Sequence, residues 1–423
     1  MGSCVHSFLC LQSNYTYGLA ATHEAWNSQI LGLVGSTTTN EEDGSMEKFS
    51  MPLADCQSLC DFASLEESQD KEDIGRMSRD DIHVCAFDNR GVGKSSTPKK
   101  KSEYTTKIMA LDALDLMDHL GWRKAHVFGH SLGAMIACKL AAMFPDRVAS
   151  LALLSATGGG YECIPKLNWV LVSLMYRFFK AKSPEERALV DLDTHYTKDY
   201  LDEMAGEFSR RQLLYKEYVK NISASGLQNT HGQKGQMNAC WTHQVSSEDY
   251  ERLRTSSILI SVVHGRSDVI AQIQHARAIA RKLYPAARLL ELPGGHLITH
   301  QHTKEVNQEL LELIQATCTN LPNTQWQKDL VIHEDEENDD KDDGDCMRGL
   351  YRWLTCKGGS LSREKTMRLP YNQAAVTSIE FRLIGFIFRP YLLPSMTCRC
   401  NHLNSVTAAQ WKRCYYLGQI EGK

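Results

Sequence analysis

Residues 129–133 constrain the fold of this chain more than any other stretch. They read Gly-His-Ser-Leu-Gly, a G-x-S-x-G pattern, and an apolar run at residues 125–128 precedes them. A helix-forming run rich in alanine follows them. This context predicts a strand, a sharp turn and a helix, with Ser131 projecting from the turn at the end of a sheet. The glycines are needed because the serine takes a strained conformation close to neighbouring backbone.

A second pattern lies upstream of this turn. Residues 82–87 form a short apolar run, which suits a strand covered on both faces. The sequence D-x-R-G-x-G-x-S follows at residues 88–95. We expect Asp88 and Arg90 to fix this loop through hydrogen bonds rather than to take part in chemistry.

Two downstream patterns supply an acid and a base. Residues 258–263 read as a strand and end in HGRSD, which places Asp268 at the rim where α/β folds bind ligands. A shorter strand-like run ends in PGGH, whose histidine is His296. His300 and His302 are alternative candidates for the catalytic base. The two glycines before His296 favour His296 for this role. The chain order is therefore nucleophile, acid, base, unlike the orders in chymotrypsin and subtilisin.

Taken together, GHSLG, DNRGVGKSS, HGRSD and PGGH resemble the α/β-hydrolase superfamily. The resemblance lies in its branch of small esterases, enol-lactone hydrolases and prolyl iminopeptidase-like enzymes, and it covers roughly residues 17–316. It implies an α/β fold with a mostly parallel central sheet, helices on both faces and an inserted helical cap. An epoxide hydrolase or haloalkane dehalogenase is disfavoured, because those relatives carry aspartate at the position of Ser131.

The motifs predict a division of chemical roles. A serine hydroxyl needs an adjacent base at neutral pH, so His296 would take the proton of Ser131 and later deliver it to the leaving group. Asp268 would hold the imidazole in the useful tautomer. The backbone N–H of Leu132 is expected to be one oxyanion donor. Leu19 would be the other, because residues 18–26 resemble the oxyanion loop of the family.

The residues before Leu19 predict incomplete N-terminal strands. Residues 13–17, SNYTY, are too polar for a strand buried on both faces. The family usually has two earlier strands, whereas the dozen or so residues available here could form one strand at best. A displaced oxyanion donor would lower turnover by about 10²–10³.

Composition shifts divide the chain into four parts. They are the N-terminal part of the core (1–156), a mostly helical cap (157–255), the C-terminal part of the core (256–316) and a tail (317–423). Residues 35–80 are a polar insertion in the first part, and residues 334–345 are an acidic run that we expect to be solvated and disordered. The apolar and aromatic residues of the cap favour a hydrophobic substrate.

Charge and cysteine content exclude several classes of function. A net charge of −4 implies no general affinity for nucleic acid or anionic membranes. The sequence has no 18-residue apolar run and no signal-peptide pattern, so neither a transmembrane helix nor export is expected. Its 14 cysteines suit free thiols in the cytoplasm, with organellar import left open. No cofactor is expected, and no metal, because the spacing of Cys398, Cys400 and His402 does not match the common zinc sites.

These observations predict a serine hydrolase with Ser131 as nucleophile and an acyl-enzyme intermediate. The predicted substrate is a small, hydrophobic carboxylic ester, thioester or lactone, and the partner of the tail stays unknown. Two alternatives stay open: an amide-cleaving peptidase that uses the same three residues, and a non-catalytic ligand-binding relative. The altered N-terminus favours the second alternative.

Overall fold

The computed structural model describes residues 6–13, 23–34, 82–163, 169–225 and 228–327. Two units divide the chain, residues 1–357 and residues 358–423, and every described residue belongs to the first. The predicted polar insertion, the acidic run and the cysteines considered for zinc therefore lie outside the described residues.

A six-stranded parallel sheet forms the centre of the described part. The strands, in chain order, are β1 (His6–Ser13), β2 (Ile82–Asp88), β3 (Ala125–Ser131), β4 (Val148–Leu154), the short β5 (Met204–Ala205) and β6 (Phe208–Ser209), β7 (Leu259–Gly265) and β8 (Ala287–Leu292). The order across the large sheet is β2-β1-β3-β4-β7-β8, and β5 and β6 form a separate antiparallel hairpin.

Helices cover both faces of this sheet. The α-helices of the described residues, in chain order, are α1 (Asn27–Val34), α2 (Thr106–His119), α3 (Leu132–Met143), α4 (Trp169–Lys180), α5 (Pro184–His195), α6 (Lys198–Asp202), α7 (Arg210–Ser225), α8 (Thr230–Thr242), α9 (Ser247–Thr255), α10 (Ile273–Lys282), α11 (Ile298–Gln301), α12 (Thr303–Cys318) and α13 (Asn323–Trp326). Helices α2, α3 and α10 pack on one face, and α1, α12 and α13 on the other. Strands β3 and β7 are consequently buried along their whole length. The predicted α/β class is confirmed.

One described strand, β1 (His6–Ser13), precedes the oxyanion segment, in line with the expectation that the first dozen or so residues could form one strand at best. It pairs on both sides, with Leu9 opposite Cys85 of β2 and Val127 of β3, and it ends with Ser13 opposite Ser131. A central strand therefore leads directly into the segment that contains Leu19, and Leu19 itself lies outside the described residues.

Strand β2 is less buried than its apolar sequence predicts. Its inner residues are only partly covered. The reason is its position: β2 is the last strand on its side of the described sheet, and β1 is the one described strand that pairs with it.

Between β4 and β7 the described chain is helical apart from the β5–β6 hairpin, and we call helices α4–α9 the helical insertion. Side chains of α5, α6 and α7 form a small apolar core of their own, which also includes Leu297 from the core of the protein. The insertion therefore packs against the residues that follow β8.

The packed region continues past the predicted boundary at residue 316, which falls within α12. Trp326 of α13 is buried, and its indole N–H donates to the carbonyl of Ile260 at 2.9 Å. The guanidinium of Arg288 lies 4.0 Å from the centre of the Trp326 ring.

Among the described residues, no helix has the length and apolar character that crossing a lipid bilayer requires.

Replacing Leu9 by proline tests the central position of β1. Proline removes a ladder hydrogen bond from a strand paired on both sides. Leaving the partner carbonyl unpaired costs about 1–3 kcal/mol, which corresponds to a fall of up to about 10 °C in the melting temperature. Leu9→Val retains the N–H and serves as the control in the same calorimetric scan. Equal melting temperatures for both variants would contradict the placement of β1.

Candidate active site

Ser131 ends β3 in a strained conformation. Its φ of 55° and ψ of −119° lie in a region that non-glycine residues rarely occupy, and its side chain is buried. Gly129 makes this turn possible: a Cβ there would lie 2.3 Å from the carbonyl oxygen of Gly133 and 2.7 Å from Cα of Ala134. The G-x-S-x-G pattern therefore forms the strand–turn–helix that its sequence predicts.

The structure brings the three predicted residues together. Nε2 of His296 lies 3.1 Å from Oγ of Ser131, and Nδ1 of His296 lies 2.8 Å from Oδ2 of Asp268. All three side chains are buried. The parallel strands explain the convergence, since Ser131 ends β3 while Asp268 and His296 follow β7 and β8 at the same edge of the sheet.

The carboxylate of Asp268 is fixed from both sides. Its Oδ1 accepts the backbone N–H groups of Ile270 at 2.8 Å and Ala271 at 2.9 Å, and its Oδ2 accepts from His296. Burial alone would raise the pKa of Asp268, but the His296 ring and the backbone donors outweigh burial and lower it. Asp268 is therefore ionised at neutral pH and can orient the imidazole.

Two side chains hold the backbone of the base. The carbonyl of His296 accepts the hydroxyl of Ser155 at 2.8 Å and Nε2–H of His130 at 2.9 Å. Burial and the neighbouring His296 lower the pKa of His130 to about 3, so its ring is neutral. The sequence carries no signal for this contact between residues 166 positions apart.

The rival histidines have other partners. Nδ1 of His300 lies 3.0 Å from the hydroxyl of Tyr196, and its Nε2 lies 3.4 Å from the carbonyl of Ala25. Nε2 of His302 donates to the carbonyl of Pro293 at 3.0 Å. Of the three histidines considered for the base, His296 is the one that the structure places at the hydroxyl of Ser131.

Of the two predicted oxyanion donors, Leu132 is described. It follows Ser131 as the first residue of α3, so its N–H lies at the positive end of the helix dipole. Beyond the Leu19 segment the next described residue is His23, whose N–H and Nδ1 contact Oδ1 of Asp88 at 2.9 and 3.0 Å. Asp88 also accepts the N–H of Lys94 at 3.0 Å.

The loop after β2 is fixed by hydrogen bonds, as its sequence predicts. Besides the Asp88 contacts, Nε of Arg90 donates to Oδ2 of Asp112 at 2.6 Å, and its Nη1 donates to the carbonyl of Glu103 at 2.8 Å. The structural reading of Asp88 and Arg90 is confirmed. Within the described residues, no group of three or more histidine, cysteine, aspartate or glutamate side chains is arranged to hold a metal ion.

The acid and base turns touch each other. The N–H of Ser267 donates to the carbonyl of Gly294 at 2.9 Å. A Cβ on Gly265 would lie 2.4 Å from the carbonyl oxygens of both Gly294 and Gly295. Only glycine fits at position 265 without moving the turn that carries His296.

Together, Ser131, His296 and Asp268 place a hydroxyl beside an imidazole that a carboxylate orients. This arrangement is used for nucleophilic catalysis.

Comparisons with known proteins agree with this fold. A family model described as the alpha/beta hydrolase fold matches residues 74–303. The chain is 26% identical over 236 residues to the dihydrolipoyllysine-residue acetyltransferase component of the acetoin cleaving system of Pseudomonas putida. The matched residues cover 55% of this chain and 56% of that protein. The chain thus spans little more than half the length of that relative.

Two further similarities were found. The chain is 24% identical over 225 residues to a Pseudomonas syringae pv. syringae protein named "Putative carbamate hydrolase RutD", covering 53% of this chain and 80% of that one. Among solved structures, a serine hydrolase from Cycloclasticus zankles is similar with a TM-score of 0.50 and 16% identity, covering 74% of this chain and 90% of that one. That structural similarity concerns the fold alone.

Replacing Gly265 by alanine tests the contact between the acid and base turns. The added Cβ meets two carbonyl oxygens, so the turn that carries His296 must shift, which alters the 3.1 Å contact between His296 and Ser131. A displacement of this kind is expected to lower kcat by about tenfold or more on any substrate that the protein turns over.

Gly121→Ala is the matched control. Gly121 has a left-handed φ of 70°, unlike Gly265, and a Cβ there meets nothing within 4 Å, so this control separates backbone strain from the contact. Its backbone strain costs about 1 kcal/mol of stability, which differential scanning fluorimetry measures, and kcat is expected to stay at the parental value. Parental kcat in Gly265→Ala as well would contradict the contact.

Proposed function

Because the chain belongs to the α/β-hydrolase family, we propose that it is a serine hydrolase that cleaves a small, hydrophobic carboxylic ester, thioester or lactone. One observation carries the proposal: the 3.1 Å contact between Nε2 of His296 and Oγ of Ser131, with Asp268 2.8 Å from the other ring nitrogen. A hydroxyl in this environment becomes a nucleophile as it loses its proton to the imidazole.

The proposed reaction has two halves. Oγ of Ser131 attacks the carbonyl carbon while its proton passes to Nε2 of His296, and the N–H groups of Leu132 and Leu19 hold the resulting oxyanion. The tetrahedral intermediate then expels the leaving group, which takes the proton from His296. Water repeats the sequence on the acyl-enzyme, giving the acid and restoring Ser131. Asp268 stabilises the imidazolium in both halves.

Several observations support this reading over its alternatives. The RutD protein of P. syringae is named for hydrolysis of a carbamate, which is also acyl transfer. The apolar and aromatic residues in the sequence of the helical insertion favour a hydrophobic substrate. The case for a non-catalytic relative rested on altered N-terminal strands, and the pairing of β1 with β3 weakens that case.

The proposed setting is the reducing cytoplasm. Cys85, Cys138, Cys163 and Cys240 are free thiols. Burial raises the pKa of Cys138 and of Cys163 to about 12, so neither thiol rivals Ser131 as a nucleophile. The proposed partner is the small-molecule substrate.

Labelling with a fluorophosphonate tests the proposal. The parent protein is expected to acquire one phosphonate, located on Ser131 by peptide mass spectrometry, and Ser131→Ala is expected to acquire none. Absence of label on the folded parent would contradict an activated serine. A panel of p-nitrophenyl esters, thioesters, lactones and aminoacyl anilides then separates the proposed activity from a peptidase, which would turn over the anilides fastest.

Exchanging single histidines tests the assignment of the base. His296→Ala is expected to lower ester turnover by about 10⁴-fold or more, as loss of a triad base does. His300→Ala and His302→Ala are expected to cost far less, because their rings contact Tyr196, Ala25 and Pro293 rather than Ser131. A larger loss in His300→Ala than in His296→Ala would overturn the assignment.

A further inference from the structure

We propose that His195, the last residue of α5 in the helical insertion, is a positioning residue for His296, so that the insertion helps to set the geometry of the base. The inference rests on the proposed function, in which His296 is that base. It assigns the insertion a part in the chemistry besides covering the substrate.

The backbone of His195 holds the base turn directly. Its carbonyl accepts the N–H of Leu297 at 3.1 Å and Nε2–H of Gln301 at 3.5 Å, one residue and five residues after His296. A Cβ on Gly295 would lie 2.8 Å from the same carbonyl oxygen. The glycine before His296 therefore allows this close approach to the end of α5.

The ring of His195 lies near the ring of the base and is roughly parallel to it. The two ring centroids are 6.4 Å apart and the ring planes differ by 28°, with both residues completely buried. The ring of His130 meets the His296 ring edgewise, at 5.0 Å and 65°. Because these neighbours are buried, we infer that their packing restricts rotation of the imidazole away from Ser131.

The ring of His195 is itself fixed. Its Nδ1 lies 3.2 Å from the hydroxyl of Tyr218, and Tyr218 donates that hydroxyl to Tyr196 at 3.4 Å. The hydroxyl of Tyr196 in turn lies 3.0 Å from Nδ1 of His300 in α11. These contacts link α5 and α7 of the insertion to the helix that directly follows the base, so His195 has little freedom to move.

The surroundings of His195 keep it uncharged. Burial lowers its pKa most, and the neighbouring His296, His130, His300 and Arg187 lower it further. A neutral ring can remain beside His296 while His296 carries the proton of Ser131. A charged ring would oppose the same proton transfer.

The test compares three variants. His195→Phe keeps a ring against His296, His195→Ala removes it, and Leu201→Ala removes a buried side chain from the core of the insertion as a control. His195→Ala is expected to lower kcat by about tenfold or more with KM within about threefold of the parent. His195→Phe should recover most of this loss, and Leu201→Ala should lower the melting temperature but not kcat.

A second measurement does not depend on turnover. The rate at which diethylpyrocarbonate modifies His296, followed by peptide mass spectrometry, reports access to its ring. The rate should rise about tenfold in His195→Ala, where a cavity opens beside the ring, and stay parental in His195→Phe and Leu201→Ala.

Three outcomes would overturn the inference: parental kcat in His195→Ala, an equal loss in His195→Phe, or an unchanged modification rate in His195→Ala. Failure of the proposed function looks different. In that case the folded parent takes up no phosphonate at Ser131, whatever residue 195 is.

Discussion

The imidazole of His296 has one nitrogen at Asp268 and the other at Ser131, and much of the described structure keeps it there. The arrangement is costly to build because a carboxylate and an imidazole are both removed from water. Backbone donors from Ile270 and Ala271 complete the hydrogen bonding of the carboxylate. Removing any one partner would leave a buried polar group unsatisfied, so the acid and the base depend on each other for stability as well as for chemistry.

Sheet register makes this convergence possible. Strands β7 and β8 are direct neighbours, with Gly265 opposite Leu292, so the turns that follow them start side by side. Strand β3 ends on the same edge two strands away, with β4 between. Ser155, at the end of β4, spans this gap through its hydrogen bond to the carbonyl of His296. Each strand of this half of the sheet thus ends in, or leads into, a residue of the site.

The sequence predicts the parts of the site that lie where strands end. Ser131, Asp268 and His296 could be found because each follows an apolar run and has glycine nearby, and the loop roles of Asp88 and Arg90 follow from their residue types. The sequence allowed a single strand in the first dozen or so residues but gave it no bounds, because Phe8, Leu9 and Leu11 stand among polar residues and a polar stretch follows. The family model, which begins at residue 74, does not reach this strand.

Long-range contacts were beyond sequence reasoning for a different reason. The rings of His130 and His195 meet His296 across 166 and 101 positions of the chain, and no spacing pattern marks such a contact. Both histidines are buried. His130 lies in β3 directly before the nucleophile, and His195 ends a helix of the insertion. Their contribution follows from packing alone, which local propensity does not encode.

Proton NMR of the histidine ring N–H groups tests the central interaction most directly. A ring N–H held by a buried carboxylate resonates far downfield, and His296→Gln identifies the signal that belongs to His296. This signal is expected to be present in the parent, retained in Ser131→Ala and lost in Asp268→Asn. Its absence from the folded parent, or its persistence in Asp268→Asn, would contradict the pairing of Asp268 with His296.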